Sequence, residues 1–148
     1  MVVSTSDQDP LLRIRAGLAA TTIAEYFCAR GKHVLLVFSS PHCGPCSALA
    51  PHLENFHREH ADMAVVMISK GEPKENRAKV KKHGLTFPVV LQQQWEISRR
   101  YAMFATPVAY LVNEAGMITR DVAVGTDPIL TLLSEAARDA EYAAPTRL

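Results

Sequence analysis

Two cysteines three residues apart, Cys43 and Cys46, enclose Gly44 and Pro45 and are the side chains of this sequence best suited to chemistry. A cysteine attacks a disulfide only as its thiolate, so the question is what would ionise it. The run Val34-Leu35-Leu36-Val37-Phe38 ahead of the pair is short, branched and free of polar residues, as expected of a strand covered on both faces. Behind the pair, Leu49, Leu53 and Phe56 recur at helical spacing and predict a core-facing helix from the cysteines to about His60, bent by Pro51. The pair thus falls where a buried strand hands over to a helix. The first cysteine lands at the helix N-terminus, where unpaired N–H groups and the positive end of the dipole favour a thiolate. That makes Cys43 the nucleophile and Cys46, one turn further in and less exposed, the group that resolves the mixed disulfide. Gly44 would let a substrate backbone approach. Pro45 has no N–H to lose in the first turn and stiffens the loop.

Such a pair can also do other chemistry. Three cysteines cannot close a disulfide framework. Structural zinc takes four ligands, usually two such pairs or a pair with two spaced histidines. Only one pair exists here, and although His42, His52, His57 and His60 lie nearby, His52 and His57 are five apart and leave a helix in different directions. No metal and no cofactor is expected. A thiol site that hands copper to a partner stands as a second reading, and a redox-silent adaptor as a third. The Thr-x-x-Cys setting with an arginine that peroxidase chemistry wants is not found. Cys28, beside Phe27 and Ala24, reads as an inert buried thiol.

The rest of the composition narrows the class. The chain of 148 residues is 48% apolar and 21% charged, which is globular rather than disordered. Sixteen basic residues nearly cancel fifteen acidic ones, so no nucleic-acid partner is indicated. Lys79, Lys81, Lys82 and His83 read as a solvated helix end, and Glu54, Arg58 and Glu59 as a solvated face. Trp95 and Tyr101 read as core or surface cover rather than a substrate groove. The N-terminus lacks a signal-peptide layout, and no segment approaches the ~20 apolar residues of a spanning helix. A soluble chain is expected, with the loss of an anchor ahead of it compatible with the sequence.

The elements that must position the pair follow from the pattern. Residues 1–20 read as a tail or leading strand and 143–148 as a tail, around one domain over 21–142. Thr21 or Thr22 would cap a helix that stops at Gly31. A second buried strand covers Ala64 to Ile68. Pro73 opens a helix that Gly84 ends, and Phe87 to Leu91 is extended, followed by a short helix through Trp95 and Tyr101. Pro107 opens a strand to Val112, which pairs as a hairpin with a strand over Met117 to Val124. Thr126 or Asp127 caps the last helix, with Ile129, Leu132, Leu133 and Ala136 facing inward. Alternation ending in a hairpin and a helix calls for an α/β fold with a mixed central sheet flanked by helices.

The ordered set of Val34 to Phe38, Cys43-Gly44-Pro45-Cys46, Pro51, Thr106-Pro107 and Gly125 resembles the thioredoxin-like superfamily. The stretch from Gly71 to Tyr101 is longer than in plain thioredoxin. It is similar to the membrane-anchored, periplasm-facing thioredoxins of cytochrome c maturation (the TlpA/ResA type) and of methylamine utilisation. The resemblance implies a thioredoxin-like fold with an extra α/β insertion before a cis-proline strand. It implies thiol–disulfide exchange with protein substrates and an upstream redox partner, reductase direction favoured, in an extracytoplasmic place, a cytoplasmic one staying open. It also implies that Pro107 is cis and that Thr106 presents its backbone to an extended client peptide. Two departures stand out. His42 occupies a tryptophan's place and would either lower the thiol pKa or point to solvent. The carboxylates that such proteins carry match Val37 and Leu49, both apolar here, which leaves water, His42 or Glu72 as proton acceptor for Cys46.

Overall fold

The computed structural model describes residues 11–13 and 25–143. In chain order the elements are β1 (Leu11–Arg13), β2 (His33–Ser39), α1 (Gly44–Glu59), β3 (Met63–Lys70), α2 (Pro73–His83), β4 (Val89–Gln92), a 3-10 turn (Ser98–Tyr101), β5 (Val108–Val112), β6 (Ala123–Val124) and α3 (Thr126–Ala143). Among the described residues, six strands form one sheet in the order β1-β4-β3-β2-β5-β6. The pairs β1–β4, β4–β3 and β3–β2 are parallel, while β2–β5 and β5–β6 are antiparallel, so the sheet is mixed as expected. The insertion implied before the proline strand is α2, β4 and the 3-10 turn.

β2 and β3 are buried along almost their whole length because both faces are covered. Leu35, Val37, Val65 and Met67 point to one face, where Leu49, Leu53 and Phe56 of α1 and Ile129, Leu132, Leu133 and Ala136 of α3 close over them. Val34, Leu36, Phe38, Val66 and Ile68 point to the other, packed by Phe27, Tyr101 and Met103. Alternation along a strand sorts each residue to one layer or the other.

Four expectations change. The last strand was expected over Met117 to Val124, but only Ala123–Val124 pairs regularly, opposite Ala109 and Val108. Val112 makes an isolated bridge to Ile118, and the two registers differ by two residues, so the intervening segment bulges out of the ladder. Instead of a helix through Trp95, only Ser98–Tyr101 is helical, held by the buried Gln92 side chain, which accepts from the Ile97 and Ser98 amides and donates to the Ser98 hydroxyl. Thr126 lies within α3 rather than capping it; the Gly125 carbonyl accepts from the Ile129 amide. Thr21 and Thr22 lie outside the described residues, as do 1–10 and 144–148, whereas Leu11–Arg13 is a leading strand.

The fourth change concerns Glu54, which is not on a solvated face but 4% exposed. Its carboxylate accepts from the Thr86 amide at 2.9 Å, from the Thr86 hydroxyl, and from Arg58 at 3.0 Å, tying α1 to the loop after α2. Burial pushes its pKa up, but the Thr86 and Arg58 donors outweigh that, and the carboxyl stays below its ordinary value. A carboxyl lowered in the folded state stabilises the protein above its unfolded pKa, and that contribution is lost as pH falls through the folded one. Glu54→Gln should therefore cost about 1.5–3 kcal/mol in urea denaturation at pH 7. The gap between variant and wild type should close as the pH drops below about 4, and a constant gap would contradict the ionised role.

Candidate active site: the Cys43–Cys46 loop

β2 ends at Ser39, and the chain turns through Ser40, Pro41 and His42 into α1. The Cys43 amide donates to the Ser40 carbonyl at 3.3 Å, closing that turn. Cys43 is the N-cap of α1 with extended backbone, its carbonyl accepting from the Ser47 amide at 3.1 Å. Its sulfur accepts from the Cys46 amide at 3.2 Å, taking the place that a serine or aspartate oxygen holds in an ordinary cap. Pro45 occupies the first turn, where no partner for an amide is lost. The two cysteines are joined in a disulfide, with Cα atoms 5.1 Å apart. Cys43 is half-buried, Gly44 and Pro45 are exposed, and Cys46 is 1% exposed. The order of exposure matches an attacking first sulfur and a sheltered second one.

Thr106 and Pro107 lead into β5, the antiparallel neighbour of β2. The Thr106–Pro107 bond is cis. The Thr106 carbonyl oxygen lies 3.7 Å from the Cys43 sulfur, and the Pro107 carbonyl accepts from the Gly125 amide at 2.9 Å. Pro107 is buried and Thr106 half-buried, so a strip of Thr106 backbone faces the disulfide. Cys43, Cys46, Gly44, Pro45, Thr106 and Pro107 therefore meet at one end of the strands, where the chain leaves β2 and enters β5.

His42 does not turn towards the sulfurs. Its ring is exposed, and Nε2 lies 3.0 Å from a carboxylate oxygen of Glu75 on α2. α2 can come this close because Gly71, at φ +112°, leaves only 3.3 Å between a would-be Cβ and Pro41 Cγ. No carboxylate sits under the pair: Val37 is 0% and Leu49 1% exposed in the apolar core, and Glu72 is exposed at the N-cap of α2.

The group that sequence reasoning misplaced is Lys79. It is 7% exposed rather than solvated, and its ammonium donates to the hydroxyl of Ser39, itself 1% exposed at the end of β2. Burial lowers its pKa to about 8. A signal was present: Asn76, Lys79, Val80 and His83 fall on one stripe of α2, and Asn76 is buried against Ser69.

Tyr101 is cover, as read: its ring lies 5.3 Å from that of Phe38 and 5.2 Å from that of Tyr110. Trp95 is half-buried beneath the Lys70 ammonium, 4.5 Å above its ring, and meets Phe104 edge-on. Phe104, two residues ahead of Thr106 and 57% exposed, was not singled out from sequence. Cys28 is half-buried, not fully, and its thiol donates to the Asn113 carbonyl at 3.1 Å. Among the described residues no three His, Cys, Asp or Glu side chains are grouped to hold a metal, and no helix is long and apolar enough to cross a membrane.

The sequence profile described as "AhpC/TSA family" matches residues 15–121. The chain belongs to the AhpC/TSA family. Among curated relatives, the thiol-disulfide oxidoreductase ResA of Halalkalibacterium halodurans is 30% identical over 93 residues, covering 61% of this chain and 53% of that protein. The sporulation thiol-disulfide oxidoreductase A of Bacillus subtilis is 28% identical over 97 residues, covering 62% and 59%. This AhpC/TSA-family chain thus spans little more than half the length of those relatives. Among solved structures, StoA from Bacillus subtilis superposes with a TM-score of 0.62 at 24% identity, covering 72% of this chain and 83% of that one. A thiol:disulfide interchange protein from a Bacteroides species gives 0.68 at 20% identity, covering 82% and 80%. The fold is thioredoxin-like.

The exposures fix an order of reaction with alkylating agents. After reduction, one equivalent of iodoacetamide should label Cys43 at least about tenfold faster than Cys46 or Cys28, read by peptide mass mapping. Equal labelling of Cys43 and Cys46 would contradict a sheltered Cys46.

Proposed function

We propose that the chain is a thiol–disulfide oxidoreductase acting on protein substrates through Cys43 and Cys46. The observation that carries this reading is the placement of the Cys43 sulfur at the N-cap of α1, bonded to a buried Cys46 and 3.7 Å from the Thr106 carbonyl. A thiolate at Cys43 is stabilised by the free amides of the first turn, among them that of Cys46. It attacks one sulfur of a client disulfide, the client S–S bond breaks, and one client thiolate leaves. Cys46, deprotonated, then attacks the Cys43 sulfur of the mixed disulfide and expels the second client thiolate. Two electrons pass to the client, and the pair is left as the disulfide.

Thr106 and Pro107 supply the docking segment, since an extended client can pair with the half-buried Thr106 backbone as an added strand. Gly44 and Pro45 present no bulky side chain to it. The net direction is reduction of the client, in keeping with the Gly-Pro spacer, and it requires an upstream dithiol donor. The names of the curated relatives support the reaction class. The resemblance to periplasm-facing thioredoxins supports an extracytoplasmic place, and residues 21–142 are the unit that carries the activity.

A glutathione titration scored by alkylation and intact mass tests this directly. Cys43 and Cys46 should change together by two electrons while Cys28 stays a free thiol. A midpoint below the glutathione range of about −220 to −320 mV supports the reductase direction, and one near −120 mV reverses it. Failure of the pair to form at any poise overturns the proposal. Cys46→Ser should accumulate mixed disulfides with clients and Cys43→Ser should not; the opposite result exchanges the two roles.

A further inference from the structure

Granting the oxidoreductase reading, on which this inference rests, the reduced pair needs a charged neighbour, and the core beneath it offers no carboxylate. Ser39 is the last residue of β2 and lies four residues ahead of Cys43. Its side chain points to the same face as Leu35 and Val37, the face that α1 covers. Cys46 enters that face from above, one helical turn before the buried Leu49 and Ala50. Lys79 enters it from α2 and ends on the Ser39 hydroxyl. The ammonium is therefore brought to the carboxyl end of β2, where the chain turns into the loop that carries both sulfurs.

We propose that Lys79 is the counter-charge of the reduced couple: its ammonium, seated through Ser39, holds Cys43 and Cys46 as one thiol and one thiolate. Lys79 is a positioning residue, touching neither client nor sulfur. In the disulfide form seen here it has no ionic partner among the described residues, and Ser39 is its polar contact. A buried cation without an anion is costly, and reduction creates the anion. When the upstream dithiol donor reduces the pair, the donor becomes a disulfide and two electrons enter the Cys43–Cys46 bond, which breaks. Of the two donor thiol protons, one stays on the pair as a thiol. The other leaves to water when Lys79 is already charged, or is taken up by its amine when it is neutral.

The lowered pKa of about 8 in the disulfide form is what burial without a counter-ion produces, and it places that switch within reach of a titration. The titratable groups around Lys79 do not supply the missing anion. Glu75, one turn earlier on α2, is paired with His42 of the loop. His83, one turn later, is itself pushed down by burial and by Lys82 and Lys79. Glu54 of α1 is committed to Thr86 and Arg58. Lys70, at the end of β3, lies over Trp95.

The test compares wild type, Lys79→Met and Lys79→Arg by thiolate absorbance against pH and by the glutathione equilibrium at pH 7. In Lys79→Met the lower thiol pKa should rise by about one unit, and the reduced form should lose stability about tenfold, equivalent to about 30 mV towards a more reducing couple. Lys79→Arg, which keeps the charge, should recover most of both. If Lys79→Met unfolds cooperatively like wild type yet shows the wild-type titration and equilibrium, Lys79 is only a packing residue and the proposal fails. Should that variant not fold, the Lys79 side-chain carbon shifts of the wild-type protein decide: its pKa must rise on reduction, and the same value in both forms overturns the proposal. A wild-type protein whose cysteines never pair brings down the oxidoreductase reading as well. A cycling wild type with an unaltered Lys79→Met brings down this inference alone.

Discussion

Phe38 of β2 stands opposite Val108 of β5, Val37 opposite Ala109, and Leu36 opposite Tyr110. In this antiparallel pair, residues leaving one strand and entering the other arrive at the same edge. Ser39 and the cysteine loop leave β2 there, and Thr106 and Pro107 enter β5 there. That single register brings the Cys43 sulfur to the Thr106 carbonyl. A slip of one residue would move every side chain of β5 to the opposite layer, burying in one core what the other was shaped to receive. The site is as well fixed as the core is, because the same ladder determines both.

The second support is α2. With the turn ahead of it, α2 meets the loop and the end of β2 at three heights: Gly71 against Pro41, Glu75 on His42, and Lys79 on Ser39. The first is a backbone approach that a side chain would obstruct. The second joins two exposed side chains, and such pairs contribute at most about 1 kcal/mol. The third is of another kind. Desolvating an ammonium costs several kcal/mol, and a hydrogen bond from a charged group returns about 1.5–3 kcal/mol. The shortfall appears as the lowered pKa of Lys79, which burial brings to about 8.

Much of this was legible in the residues. The strand of Val34 to Phe38, the helix behind the cysteines, Pro73 and Gly84 bounding α2, and the inward face of α3 follow from period, caps and breakers. The cysteine pair declared itself by spacing and position. Pairing with Thr106 and Pro107 depended on resemblance, because a proline opening a strand has no local mark of what it faces 60 residues away. Glu54 and Lys79 were misplaced for one reason: charge is a guide to exposure only until a tertiary partner is found. Thr86 and Ser39, which take them in, lie 32 and 40 residues off in the chain. The interrupted β6 was lost because two extra residues in a ladder leave no trace in an alternating pattern.

β1 is the first of the described elements, yet its neighbour in the sheet is β4: Leu11 opposes Val89 and Arg13 opposes Leu91. A chain made from its N-terminus holds Leu11 to Arg13 without a partner until nearly eighty further residues have followed. At ribosomal rates of about 5–20 residues per second, that is a wait of roughly 4–16 seconds. During it β2, α1 and β3 can already meet, since they are consecutive and joined by short connections. The outer strand on this side of the sheet is thus made before the strand it pairs with, and β1 can join only after β2, α1, β3 and β4 have all followed it.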